Sequence, residues 1–444
     1  MTPRFGAHLN GGATTFRLWA PAAQRVEVVL DRAHPMQSAA EGWHELTLSG
    51  VGAGALYKYH LDDGTEVPDP ASHFQPHDVL GPSEVIDHEA FAWRVGGWRG
   101  RPWHEAVILE LHVGTFTPAG TVLSAIEKLD HLVETGFTAI ELMPVADFSG
   151  ARNWGYDGVL LYAPDSAYGR PDDLRTLVDA AHVRGLMVFL DVVYNHFGPE
   201  GNYLGRYAPE FFTRAQTPWG NAVDYRVPQV RAFIIDNALH WLDHYRFDGL
   251  RLDAVHAIVE PGHPSILDDL SRVAGHFAAA SGRHIHLILE NDDNRANLLD
   301  PKTDPPQGKY RAQWNDDYHH AWHVVLTGEH NGYYQDYAAD PLDHLARAMS
   351  SGFAYQGESS AHRCRPRGEA SGRLPPLAFI GFLQNHDQIG NRPMGDRLAG
   401  EIGDDAMTAR LRLCCSLPCL HCCSWARNGG RGGRFPSFAI SRAP

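Results

Sequence analysis

Residues 248–253 read Asp248-Gly249-Leu250-Arg251-Leu252-Asp253, a short apolar run with an arginine inside it and an acid at its end. In an extended strand alternate side chains share a face, so Arg251 and Asp253 point the same way. A fixed guanidinium beside a carboxylate keeps that acid ionised and oriented. Runs of the same kind lie on either side, at 107–111 (VILEL), 138–143 (TAIELM), 186–191 (LMVFLD), 285–289 (IHLIL) and 377–382 (LAFIGF). Helical patterns at 121–135, 172–184, 228–244 and 264–280 separate several of them. Strand, helix, strand at this spacing defines βα units and a parallel sheet. No GxGxxG follows the first run, which counts against a dinucleotide-binding open sheet. The expected fold class is α/β, a (β/α)8 TIM-type barrel.

Ahead of the barrel the rhythm is different. Phe16-Arg17-Leu18-Trp19, Val26 to Leu30 and Leu56 to Leu61 are strand-like, and Pro21, Gly50, Gly52, Gly54 and Gly64 punctuate them. Residues 1–98 are therefore expected to form a small β-sandwich. The stretch 96–102 reads as a linker, and 99–413 as the barrel.

Acids stand where barrel strands end. Asp253 closes 248–253, Glu290 follows Leu289, Asp191 closes 186–191, and Asp387 ends Phe382-Leu383-Gln384-Asn385-His386-Asp387. A lone strand-end acid more often caps a helix or joins an ion pair. Several at the C-terminal ends of barrel strands converge on one mouth. Paired carboxylates are what glycosidic cleavage requires: one protonated to donate to the leaving oxygen, one ionised to attack the anomeric carbon.

Composition narrows the partners. Of 444 residues 43% are hydrophobic and 20% charged, and the formal net charge is −15. That balance suits a globular protein and argues against nucleic acid or an anionic membrane as partner. No signal-like or spanning apolar run occurs, and through residue 413 the only cysteine is Cys364, so a cytoplasmic location is expected. Oligomeric state is not legible.

Four segments, Asp191-Val192-Val193-Tyr194-Asn195-His196, 249–256 (GLRLDAVH), the strand ending at Glu290 and 382–387 (FLQNHD), resemble the conserved regions of the α-amylase clan, in the clan's order. Residues 16–30 resemble the sandwich that precedes the barrel in its branching, debranching and trehalohydrolase members. The resemblance implies that Asp253 is the nucleophile, Glu290 the general acid and base, and Asp387 the stabiliser of the distorted sugar. Arg251, His196 and His386 match supporting residues around the reacting glucose, Tyr156 the tyrosine beneath it, and Asp191 a structural acid.

The opening segment 108–116, with His112 as a candidate substrate contact, is similar to that of branching enzymes and trehalohydrolases. Residues 290–294 (ENDDN) and 313–320 (QWNDDYHH) look like trehalohydrolase signatures. There Trp314 would offer a stacking face, and Asn315, Asp316 and Asp317 would meet sugar hydroxyls. The implied reaction is hydrolysis of the α-1,4 bond joining trehalose to a malto-oligosyl chain, without metal or other cofactor. The alternatives are an α-1,4-glucan branching or debranching enzyme and an inactive glucan-binding remnant.

The resemblance stops near residue 413. Five of the six cysteines fall between 414 and 423, and 429–434 is a Gly/Arg run. Residues 414–444 are expected to be a tail foreign to the family, from a reading-frame change near codon 414. The barrel would then lack its last strand and the following β-domain. Cys414, Cys415, Cys419, His421, Cys422 and Cys423 could ligate zinc, but their spacing matches no common closed site.

Overall fold

The computed structural model describes residues 5–260, 264–300, 309–390, 392, 397–415 and 420–425, with the backbone alone from 409 on. Two antiparallel sheets make the N-terminal sandwich. One orders Gly6–Asn10, Ala13–Trp19, Trp43–Ser49 and Gln37–Ser38. The other orders Ala33–Pro35, Val26–Val29, Leu56–Leu61 and Glu66–Val67, with Ser83–Glu84 joining Leu56–Leu61. Phe16 and Leu18 face Val26, Val28, Tyr57 and Tyr59 in a sealed core, while the residues between them stay partly exposed. The Tyr57 and Tyr59 hydroxyls both donate to the buried Asp69 carboxylate, at 2.8 and 3.0 Å, which satisfies their polar ends.

Eight parallel strands close the barrel: Val107–Leu111, Ala139–Leu142, Met187–Val192, Gly249–Leu252, His286–Leu289, Ala312–Trp314, Phe379–Phe382 and Leu420–Trp425. The second to seventh are buried along their whole length, as a parallel sheet covered on both faces demands. A Cβ at Gly249 would stand 2.0 Å from the His286 carbonyl, so only glycine lets the fourth and fifth strands approach there. Helices Pro171–Val183 and Pro228–His244 each open on a proline, where a missing N–H costs nothing. Ser265 and Asp268 form a capping box that starts Ile266–Ser281.

The eight-stranded closure corrects one expectation. Leu420–Trp425 fills the eighth place, pairing Leu109 with Cys423 on one side and Gly381 with His421 on the other. Ladder pairing needs only extended backbone with its N–H and C=O available, and Leu-His-Cys-Cys-Ser-Trp contains neither proline nor glycine to prevent it. The boundary expected at 413 falls inside the helix Leu398–Cys415. Residues 416–419 and 426–444 lie outside the described residues, and with them most of the expected tail. Among the described residues no helix is long and apolar enough to cross a membrane.

Sandwich and barrel share a seam rich in histidine. His8, His73 and His88 meet His240 and His244 of the helix Pro228–His244, with His73 stacked on His240 and His88 on His244. Arg175 donates to His88 Nδ1. That fixes His88 as the tautomer protonated on Nε2, which donates to His73 Nδ1 at 3.0 Å.

Candidate active site

Arg251 organises the barrel mouth. It is fully buried, with its guanidinium 5.2 Å from the centre of the Trp314 ring. Nη1 donates to Asp191 Oδ2 at 2.8 Å and to Asp253 Oδ1 at 3.0 Å; Nη2 donates to Glu290 Oε2 at 2.9 Å. One planar fork thus fastens acids from the ends of three neighbouring strands. Asn195 Nδ2 holds the other Asp253 oxygen at 2.8 Å. Ala254, directly after Asp253, adopts φ +39°, a left-handed conformation strained for alanine, and its amide donates to Glu290 Oε2 at 2.9 Å.

Asp387 enters from the seventh strand, on the short helix His386–Gly390. His386 is clamped from below by Glu110 of the first strand and stacks on Tyr156 with ring centres 5.0 Å apart. The Tyr156 hydroxyl donates to Asp191 Oδ2 at 2.7 Å, and His196 Nε2 reaches the Tyr156 carbonyl at 2.9 Å. These groups border a cavity of about 400 Å³. It is lined by Tyr156, His196, Asp253, Glu290, His386 and Asp387. The lining also includes His256, Asp292, Asp316, Tyr333, Arg363 and Arg367.

Electrostatics set the acids apart. Burial and the charge of Glu290 push Asp253 upward against the pull of Arg251. Burial acts upward on Glu290 too, but Arg251 and the Ala254 amide bring it down to about 2. The Arg251 and Ala254 donors thus favour the ionised form of Glu290 in the absence of sugar. Burial raises Asp387, with His386 opposing. Burial works against the His386 cation, yet Asp387 and Glu110 lift it to about 10, so it is an imidazolium at neutral pH. Burial and then Glu290 push Asp316 to about 8, which makes it a neutral donor in the cavity lining at pH 7.

The structure brings Asp253, Glu290, Asp387, His196, His386, Tyr156 and Asp316 to one cavity, with Arg251 and Asp191 directly behind. Four expected contacts lie elsewhere. Trp314 has no exposed surface and packs with Ile288 and Phe382, because strand alternation puts it on the same core-facing side as Ala312. Asn315 caps the helix Asp316–Thr327 and donates to the Gly352 carbonyl at 2.7 Å. Asp317 is a buried hub that accepts from the Ala354 and Tyr355 amides, Asn294, Tyr337 and Arg367. His112 is almost buried and holds the Asn153 carbonyl at 2.8 Å, fixing the loop that carries Tyr156. Trp219, 47% exposed and stacked on His196, and Arg363, paired with Asp292 and Asp293, went unmarked in sequence because they sit on loops without a motif.

Among the described residues one group of metal-capable side chains gathers, His73, His88 and His240 in the seam. Arg175 and the imidazole-to-imidazole bond already use the nitrogens of His88, and His240 Nε2 is bonded to the Tyr162 carbonyl at 2.9 Å. The Arg175 guanidinium beside them opposes a second cation.

Comparison with known proteins agrees with this geometry. Residues 114–209 match the family model of the α-amylase catalytic domain, and residues 4–73 that of carbohydrate-binding module 48, the isoamylase N-terminal domain. A crystal structure of a Salmonella typhimurium protein assigned to the alpha amylases superposes with a TM-score of 0.92 at 46% identity, over 96% of this chain and 73% of that one. Pullulanase from Paenibacillus barengoltzii shares the fold, with a TM-score of 0.69 at 22% identity. Barrel, strand-end acids and arginine clamp define a glycoside hydrolase of the α-amylase type.

The relatives narrow the class. Malto-oligosyltrehalose trehalohydrolase of Saccharolobus solfataricus is 43% identical over 399 residues, 89% of this chain and 69% of that protein. The enzyme of the same name from Deinococcus radiodurans is 46% identical over 401 residues, 89% of this chain and 65% of that one. A 1,4-alpha-glucan branching enzyme of Rubrobacter xylanophilus is 37% identical, but over 54% of this chain. The chain belongs to the malto-oligosyltrehalose trehalohydrolase family.

Proposed function

We propose that this chain hydrolyses the α-1,4 bond between trehalose and the end of a malto-oligosyl chain, with retention of anomeric configuration. The observation that carries the reading is the shared grip of Arg251 on Asp253 and Glu290 in the lining of a single cavity. The retaining mechanism needs carboxyls about 5–5.5 Å apart, and one guanidinium bonded to both supports such a close pair. Asp253 attacks the anomeric carbon while Glu290 protonates the leaving oxygen, and water then releases the sugar with Glu290 as base. A bound glucosyl unit draws Glu290 away from the Arg251 and Ala254 donors, which lets it hold the proton it gives to the leaving oxygen. Asp387 and the His386 cation bracket the sugar's hydroxyls.

Further polar lining supports a trehalose end. Asp292, Asp316, Tyr333 and Arg363 add donors and acceptors to the cavity beyond the catalytic acids. Buried polar groups reject the sugar that leaves them unpaired. In this reading residues 1–98 are a glucan-binding-like sandwich, 99–413 the catalytic unit and 414–444 a separate tail, and the protein works in the cytoplasm. Incubating the full chain with malto-oligosyltrehalose and following products by chromatography and NMR tests the reading. Trehalose release with the α-anomer of the new reducing end appearing first is the expected result. Branch formation on amylose without trehalose release would replace it.

A further inference from the structure

Beneath the pocket, the first barrel strand places Glu110 at 2% exposure against a residue 276 positions later. Its Oε1 lies 2.6 Å from His386 Nδ1, and its Oε2 accepts from the His386 backbone amide at 3.2 Å. Both oxygens therefore grip one residue, by its ring and by its main chain. The ring is further confined by Tyr156 stacked against it and by Trp154 edge-on at 5.6 Å. Its free nitrogen, Nε2, points at Asp387 Oδ1, 3.6 Å away. A carboxylate at Nδ1 requires Nδ1–H, which leaves Nε2 to be settled by charge.

We infer that Glu110 is the positioning residue that keeps His386 doubly protonated, so that its Nε2–H is a permanent donor to the reacting sugar and its charge stands beside Asp387. The inference rests on the glycosidase reading above. The surrounding charges agree. Asp387 faces the ring from its own helix, Glu110 from the first strand, Glu141 from the second, Asp191 from the third and Arg251 from the fourth. His112 faces it from the loop after the first strand. Burial raises Glu141 above the usual carboxylate range. Asp191 is bonded to Arg251. Glu110 and Asp387 are the carboxyl groups set directly against the ring nitrogens.

A neutral glutamine at 110 keeps the shape and removes the charge. The ring of His386 would then titrate near the ordinary histidine value of about 6.5. The test is the pH profile of kcat, measured on full-length wild type, Glu110→Gln and Glu110→Asp. Wild type should hold its rate from pH 7 to 9. Glu110→Gln should lose rate as pH rises through about 6.5, reaching a deficit of about 10- to 100-fold at pH 8, the rate equivalent of one bond to a charged group. Glu110→Asp should recover part of the rate at high pH. A Glu110→Gln profile parallel to wild type, only lower, would mean that Glu110 merely supports the fold, and overturns the inference. Should the glutamine variant fail to fold, NMR of the Asp253→Asn chain replaces it. A strongly downfield imidazolium N–H at pH 8, lost in His386→Gln, is expected; a neutral His386 at that pH overturns the inference. Wild type that releases no trehalose instead refutes the underlying function, a separate outcome.

Discussion

The Tyr156 hydroxyl donates a 2.7 Å hydrogen bond to Asp191, whose carboxylate is also held by Arg251. The pocket's aromatic lining is thereby pinned to the same guanidinium that grips the reacting acids. Tyr156→Phe removes the pin but keeps the ring. Asp191 Oδ2 keeps its bond from Arg251, and one lost bond to a charged group costs about 1.5–3 kcal/mol. We expect kcat/KM to fall about 10-fold in Tyr156→Phe and much further in Tyr156→Ala, measured by trehalose release.

Arg251→Lys replaces a fork that reaches three acids by a single ammonium. The loss should appear in kcat, about 10²- to 10³-fold, as for removal of a preorganised donor. KM should change little. An unchanged kcat would show that the guanidinium only supports the fold.

Asp316 is lifted to about 8 by burial and by Glu290, so at pH 7 it is protonated. Asparagine mimics that neutral state and alanine does not. Asp316→Asn should keep kcat/KM within about 3-fold of wild type, while Asp316→Ala loses about 10-fold or more. Kinetics on malto-oligosyltrehalose at pH 7 decide this. In wild type KM should rise above pH 8, as Asp316 ionises, and Asp316→Asn should not show that rise.

Stability should fall on the acid side through the histidine seam. Burial depresses His73, His88 and His240 well below the usual imidazole range and His8 to about 4. The unfolded chain binds protons below about 6.5 that the folded chain refuses, so stability is complete above that pH and drains as pH falls towards 4. Urea midpoints at pH 8, 6 and 5 should decline in that order. His88→Gln should flatten the slope, because it removes one of the groups forced to stay neutral.

Much of this arrangement was legible in sequence. Short, mostly apolar runs gave six of the eight strands, four of them leading to an acid, and Arg251 two residues before Asp253 gave the clamp. Ala312-Gln313-Trp314 was not legible as a strand because three residues hold no periodicity. For the same reason nothing in the sequence around Trp314 signals that it faces the core rather than the sugar. Leu420–Trp425 was hidden by its cysteines, whose register with the first and seventh strands is a property of the closed ring. The Glu110–His386 contact spans 276 positions, and no local spacing signals it. Trp219 and Arg363 reach the cavity from loops, where position depends on the whole fold.

The central claim is that Asp253 attacks the sugar while Glu290 and Asp387 attend the same ring. Incubating the full chain with 5-fluoro-α-D-glucosyl fluoride and mapping the covalent adduct by peptide mass spectrometry tests it most directly. The account predicts one fluoroglucosyl group on the peptide containing Asp253, absent from Asp253→Asn. An adduct on another residue, or normal trehalose release by Asp253→Asn, would contradict it.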